Sequence, residues 1–191
     1  MRILIIAAAS ALTWAWIGAA ADSDLHGSAH SRQRPEANAI VWLEAPNAAR
    51  TPQTARVVLD QRNLMFSPHV LAVRVGTVVD FPNNDRVFHN VFSFRDGKRF
   101  DLGMYPVGAV RKVTFDRPGL SRIFCNIHPQ MAAYVLAVDS PYFARSDETG
   151  AFTIAGVPPA TYHYQAWKPG GPTLTGSVSV DAATTLNVEW P

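Results

Sequence analysis

An all-β sandwich fold is predicted by two features of the sequence. Short apolar runs are cut at close intervals by Gly, Pro and Asn, and beyond the first 21 residues no window of helical length keeps a 3.6-residue period. A third observation sets the scale. The chain has 191 residues, enough for one large domain or one domain plus a small module, and its 48% hydrophobic and 17% charged residues support a packed core and exclude disorder.

The opening segment is expected to be a targeting signal. Arg2 supplies a minimal positive region, Ile3 to Ile17 is apolar, and Ala19-Ala20-Ala21 fits a small-residue cleavage site before Asp22. An uncleaved membrane anchor is the alternative, because Ile3 to Ala21 is close to spanning length. The Ala run and the polar stretch behind it favour cleavage, which would leave no stable membrane insertion. The expected location is a bacterial periplasm. Residues 22–38 are small and polar with no apolar period, and predict a flexible lead-in.

Strands are then predicted in sequence at Ala39–Leu43, Ala55–Leu59, Val70–Val75, Thr77–Phe81, Val87–Phe94, Val110–Phe115, Ser121–Cys125 and Ala133–Val138. Pro82-Asn83-Asn84-Asp85, Asp96-Gly97 and Arg117-Pro118-Gly119 supply turn signals. Ser140 to Ser146 reads as a connector. Further strands follow at Ala151–Ile154, Thr161–Trp167, Thr175–Val180 and Thr184–Trp190; the two-residue period of a strand sets Tyr162, Tyr164 and Ala166 on one face and Trp167 on the other. Four strands in so short a stretch are marginal alone and should pack on a neighbour, even borrowing Ala39–Leu43 as an opening strand. The expected organisation is a sandwich domain over 39–139 followed by a small β-sandwich module over 140–191.

Chemistry concentrates in Cys125-Asn-Ile-His128-Pro-Gln-Met131. Cys125 is the only cysteine, so it cannot form an internal disulfide, and an idle thiol is a liability in an oxidising compartment. A thiolate, imidazoles and a weak axial thioether form the ligand set of an electron-transfer copper site, whereas Zn²⁺ prefers a stronger fourth ligand. His89, near the start of a predicted strand, is a candidate for the second imidazole. Asn90 beside it is either a bridge from the His89 strand to the Cys125 loop or an ordinary strand-edge residue. His69 is taken as a loop residue, with a place near the metal as the alternative, while His26, His30 and His163 are read as ordinary surface or core histidines. With 17 basic and 15 acidic residues and no basic run, nothing points to nucleic acid.

At these residues the chain resembles the cupredoxins, and among them amicyanin, plastocyanin-like and methylamine-utilisation-type proteins. Asp85-Arg-Val-Phe-His89-Asn90-Val91 matches the family's Asp-x-x-x-His-Asn-Val stretch, and Cys125-x-x-His128-Pro129-x-Met131 matches the short amicyanin ligand loop. The likeness covers about Leu59 to Val138. It implies a Greek-key sandwich and one Cu(I)/Cu(II) ion held by His89, Cys125, His128 and Met131. It also implies an electron port at His128 within an apolar patch that includes Pro129. Gly150-Ala-Phe-Thr-Ile-Ala-Gly-Val-Pro-Pro-Ala-Thr-Tyr resembles the small transthyretin-like or carboxypeptidase-regulatory β module, in which no ligand or catalytic set is evident.

The function expected is single-electron transfer between transient redox protein partners. Copper binding and delivery without a carrier role uses the same ligands; the 4 Met of the chain form no copper-handling tract. A cysteine-hydrolase reading of Cys125, His89 and Asn90 is disfavoured, because Cys125 ends a strand rather than standing at a helix N-terminus and because His128 and Met131 would have no role.

Overall fold

The structure, a computed structural model, describes residues 22–49, 51–94 and 96–191; the export signal expected over 1–21 lies outside the described residues. In chain order the strands begin with β1 (Ser23–Ser31), β2 (Arg34–Pro35), β3 (Ile40–Leu43), β4 (Val57–Val58), β5 (Asp60–Arg62), β6 (Met65–Ser67), β7 (Val70–Arg74), β8 (Thr77–Pro82) and β9 (His89–Ser93). They continue with β10 (Phe100–Tyr105), β11 (Val110–Phe115), β12 (Gly119–Phe124), β13 (Ala132–Val138), β14 (Phe143–Arg145), β15 (Ala151–Val157), β16 (Thr161–Trp167), β17 (Leu174–Ser179) and β18 (Thr185–Trp190). Among the described residues no helix forms, and the all-β, two-sandwich class expected from the sequence is the one adopted.

A half-apolar strand must bury one face, and a sheet of such strands needs a second layer. The chain meets this requirement twice. The first sandwich sets the sheet β10-β9-β12-β13-β7 against β11-β8-β4, with the hairpin β5-β6 beside them. Val73, Val79, Phe81, Val91, Phe115, Ile123 and Val135 fill the space between. β7 runs parallel to β13 and β4 parallel to β8, so the chain crosses between layers rather than meandering. The crossing places β9 beside β12, with Phe92 opposite Phe124. That pairing sets the start of β9 and the end of β12 at one end of the sandwich.

The second sandwich sets β15-β1-β18 against β14-β3-β16-β17 around Leu25, Val41, Ile154, Val188 and Trp190. It draws strands from both ends of the described chain. Residues 22–38 are therefore not the flexible lead-in expected: β1 is an inner strand, antiparallel to β15 and parallel to β18. Its polar, small composition misled because large neighbours surround it. A Cβ on Gly27 would come within 2.2 Å of the Phe152 ring and 2.3 Å of the Leu186 carbonyl oxygen, so the strand must be thin where its partners are bulky. β3 joins β14 and β16, and the expected connector at Ser140–Ser146 contains β14.

The two sandwiches share a seam. Ile40 and Trp167 of the second meet Val70, Leu136 and Val138 on the outer face of the first, flanked by Trp42, Tyr134 and Phe143. Burying Val70, Leu136 and Val138 contributes about 1.5–3 kcal/mol per side chain relative to exposure. Tyr162, Tyr164 and Ala166 face the core of the second sandwich, and Trp167 faces the seam, following the strand alternation. Among the described residues no helix is long and apolar enough to cross a membrane.

Candidate metal centre

β12 ends at Phe124 and β13 begins at Ala132, leaving residues 125–131 as the connecting loop. Two backbone bonds close it: the Cys125 N–H donates to the Met131 carbonyl at 3.3 Å, and the Met131 N–H donates to the His128 carbonyl at 2.9 Å. The loop is thus a short turn, with Pro129-Gln130 at its tip, that folds Met131 back beside Cys125. Cys125 is 5% exposed and Met131 fully buried, both within the first core, while His128 is half-buried.

β9 delivers the fourth residue. His89, fully buried at its first position, turns Nδ1 toward the loop, 3.0 Å from His128 Nδ1 and 3.9 Å from Cys125 Sγ. His128 Nδ1 stands 3.7 Å from the same sulfur, and the three donor atoms all lie within 4.8 Å of one another. With metal–nitrogen bonds of about 2.0 Å and metal–sulfur bonds of about 2.3 Å, a trigonal ion needs sulfur–nitrogen spacings near 3.8 Å and nitrogen–nitrogen spacings near 3.5 Å. The sulfur distances meet that requirement and the imidazole pair is slightly closer. The donor set fits a soft or borderline ion.

Protonation supports the same orientation. His89 Nε2 lies 3.0 Å from Asp85 Oδ2. Burial alone would raise the Asp85 pKa, but the backbone N–H groups of Leu64 and Arg86 and the His89 ring outweigh it and hold the carboxyl down at about 2. An ionised carboxylate only accepts, so His89 donates from Nε2, which leaves Nδ1 as the ring nitrogen that faces the loop. This is the arrangement by which an outer carboxylate orients a ligating imidazole. Asn83 secures the approach to His89: its Nδ2 donates to the Val87 and Tyr105 carbonyls. Tyr105, opposite His89 in the β9–β10 ladder, is buried and its pKa is raised by that burial; its hydroxyl donates to the Phe81 carbonyl.

His89, Cys125 and His128 are brought together, and Met131 is buried at the end of the same loop. Asn90 does not bridge to the Cys125 loop through its side chain: its Nδ2 donates to Asp101 Oδ1 on β10 at 2.7 Å. His69 stands at the entry to β7, with Nδ1 3.1 Å from the Ala132 carbonyl just beyond Met131. His26 and His163 sit on β1 and β16 of the second sandwich, against Thr153 and Ser177 hydroxyls. In the sequence Asp85 stands only as the first residue of the Asp-x-x-x-His stretch. Its four-residue offset from His89 is the available signal for its orienting role. Phe88 and Ile127, next to the two histidines, are 54% and 48% exposed and give this end an apolar surface.

The chain has partial likenesses to known proteins. The sequence model of a family described as polysaccharide lyase family 4, domain II, matches residues 133–188, from β13 of the first sandwich into β18 of the second. No curated protein matches the chain. Among solved structures, a purple cupredoxin from Nitrosopumilus maritimus is 26% identical, covering 43% of this chain and 99% of that one, with a TM-score of 0.40. Amicyanin from Paracoccus versutus is 20% identical, covering 51% and 97%, with a TM-score of 0.40. A Cu-containing nitrite reductase from Thermus scotoductus SA-01 is 24% identical over 51% of this chain and 25% of its own, with a TM-score of 0.43.

Proposed function

We propose that the protein is a periplasmic type 1 (blue) copper protein that passes single electrons between transiently docked redox proteins, with His89, Cys125, His128 and Met131 as the ligands of one copper ion. The observation that carries the reading is the convergence of His89 Nδ1, His128 Nδ1 and Cys125 Sγ, with a buried methionine closing the same loop. Copper supplies the one-electron Cu(I)/Cu(II) couple. The residues supply everything else. Asp85 holds His89 in one tautomer, and the two backbone bonds of the 125–131 loop fix the spacing of Cys125 and Met131. Burial of the thiol sulfur limits water access, and half-exposed His128, beside exposed Ile127, offers a short route to a partner. Weak redox encounters use small, partly apolar interfaces of this kind.

The test is absorption and paramagnetic spectroscopy with voltammetry of the copper-loaded protein. An intense visible sulfur-to-copper band and a reversible couple, both lost in His89→Ala, are expected. Colourless copper that exchanges freely assigns the protein to copper delivery instead, and an unchanged spectrum in His89→Ala refutes the ligand set.

A further inference from the structure

β7 meets β13 only from Val70 opposite Tyr134 onward, so the Ala132 carbonyl lies before the ladder starts. The His69 side chain takes the place of the missing strand neighbour, donating from Nδ1 to that carbonyl at 3.1 Å, while the Tyr134 N–H donates to the His69 carbonyl at 2.9 Å. His69 therefore grips β13 on both sides of Ala133. Tyr134 of β13 links it to the second sandwich. Its ring meets the Tyr134 ring edge-on at 5.4 Å, and Tyr134 meets Trp167 of β16 at 5.3 Å in the seam. His69 is exposed, so burial does not account for an imidazole at this position. Its bond falls one residue beyond Met131, at the root of the loop.

We propose that the second sandwich positions Met131 through the contact chain Trp167–Tyr134–His69–Ala132, making His69 a positioning residue for the metal site. The proposal rests on the copper reading above. The Cys125 root of the loop is held by β12; the Met131 root is held by the pairing of Ala132 with Phe124 and by the loop's own backbone bonds, and His69 adds a side-chain bond to the Ala132 carbonyl. A weak axial ligand tunes a copper potential through its placement, so loosening that root changes the potential without removing a ligand. The second sandwich thereby acts on the metal site, although among the described residues the clustered donors all come from the first.

Two measurements on the full chain test the proposal, with His69→Ala, His69→Gln and Trp167→Leu variants. In the metal-free protein, hydrogen exchange over residues 126–132 is expected to be about 2- to 10-fold faster in His69→Ala, the loss of one hydrogen bond that holds a local opening shut. In the copper-loaded protein the reduction potential of His69→Ala is expected to be displaced from the parent. His69→Gln, whose amide N–H reaches the same carbonyl, restores both readings. Trp167→Leu displaces both in the same direction and is non-additive with His69→Ala. Parent-like exchange in His69→Ala, or faster exchange with an unmoved potential, overturns the proposal. A parent chain with no redox couple overturns the copper reading, and the exchange measurement separates that result from failure of the His69 contact.

Discussion

Cys125→Ser removes the sulfur while leaving both imidazoles, so the expected outcome is loss of the intense visible band and a weaker, oxygen- and nitrogen-bound copper spectrum. Because the substitution places a hydroxyl at a site 5% exposed, the metal-free protein should also melt at a lower temperature. Asp85→Ala tests the outer partner of His89. Freed of its carboxylate, the imidazole is no longer held in one tautomer, and copper affinity should fall about 10- to 100-fold in a competition titration. At this scale much of the site is legible in the sequence. Three of the four proposed ligands lie within seven residues, and the fourth follows from its place at the start of a strand. The supporting partners are not legible in the same way. Asn90 turns to Asp101 and His69 to Ala132 because of strand register, which a linear spacing does not contain.

The strand β1 shows how an element can be hidden. Leu25 and Ala29 are its only deeply buried side chains, and its hydrogen bonds to two neighbours supply the rest of its stability. Gly27→Ala should therefore cost about 1–3 kcal/mol or more, seen as a lower thermal midpoint of the second sandwich, since the added methyl meets both a ring and a backbone oxygen. β10 escapes the sequence reading for a different reason: a register shift between Asp101 and Met104 breaks its alternation. On β8, Asp80 is bonded to Arg56 and close to Lys112. The Arg56 hydrogen bond, opposed by burial and aided by the charge of Lys112, lowers the Asp80 pKa. A carboxyl depressed in the folded state stabilises above its unfolded pKa of about 3.9 and loses that contribution as pH falls through and below it. Acid-induced unfolding followed by circular dichroism should begin at higher pH in Arg56→Ala than in the parent.

For the whole molecule, the strands of the first sandwich all come from one continuous stretch, Val57 to Val138, whereas the second is assembled from residues on both sides of it. Deleting residues 22–38 should leave the first sandwich intact and make the second sensitive to limited proteolysis, because β15 and β18 would lose the strand between them. The sequence shows β3 and β15 to β18 of the second sandwich, and the alternation that sends Trp167 to the seam, but not β1 or β14. It does not show that Ser28 and Asn187 share a hydrogen bond across a sequence separation of 159 residues, since nothing local encodes so distant a partner.

That separation has a consequence in time. A chain made from its N-terminus exposes β1 first, but β18, its parallel partner over Thr185–Trp190, comes last. Closing so long a loop is slow, while every strand of the first sandwich is present once Val138 has emerged. The order of maturation is thus written into the topology: the donor set at Cys125 can assemble while β1 is still waiting. The seam, which needs Trp167, closes afterwards, and pulse-labelled hydrogen exchange during refolding should show Val91 and Ile123 protected before Leu25 and Ala29.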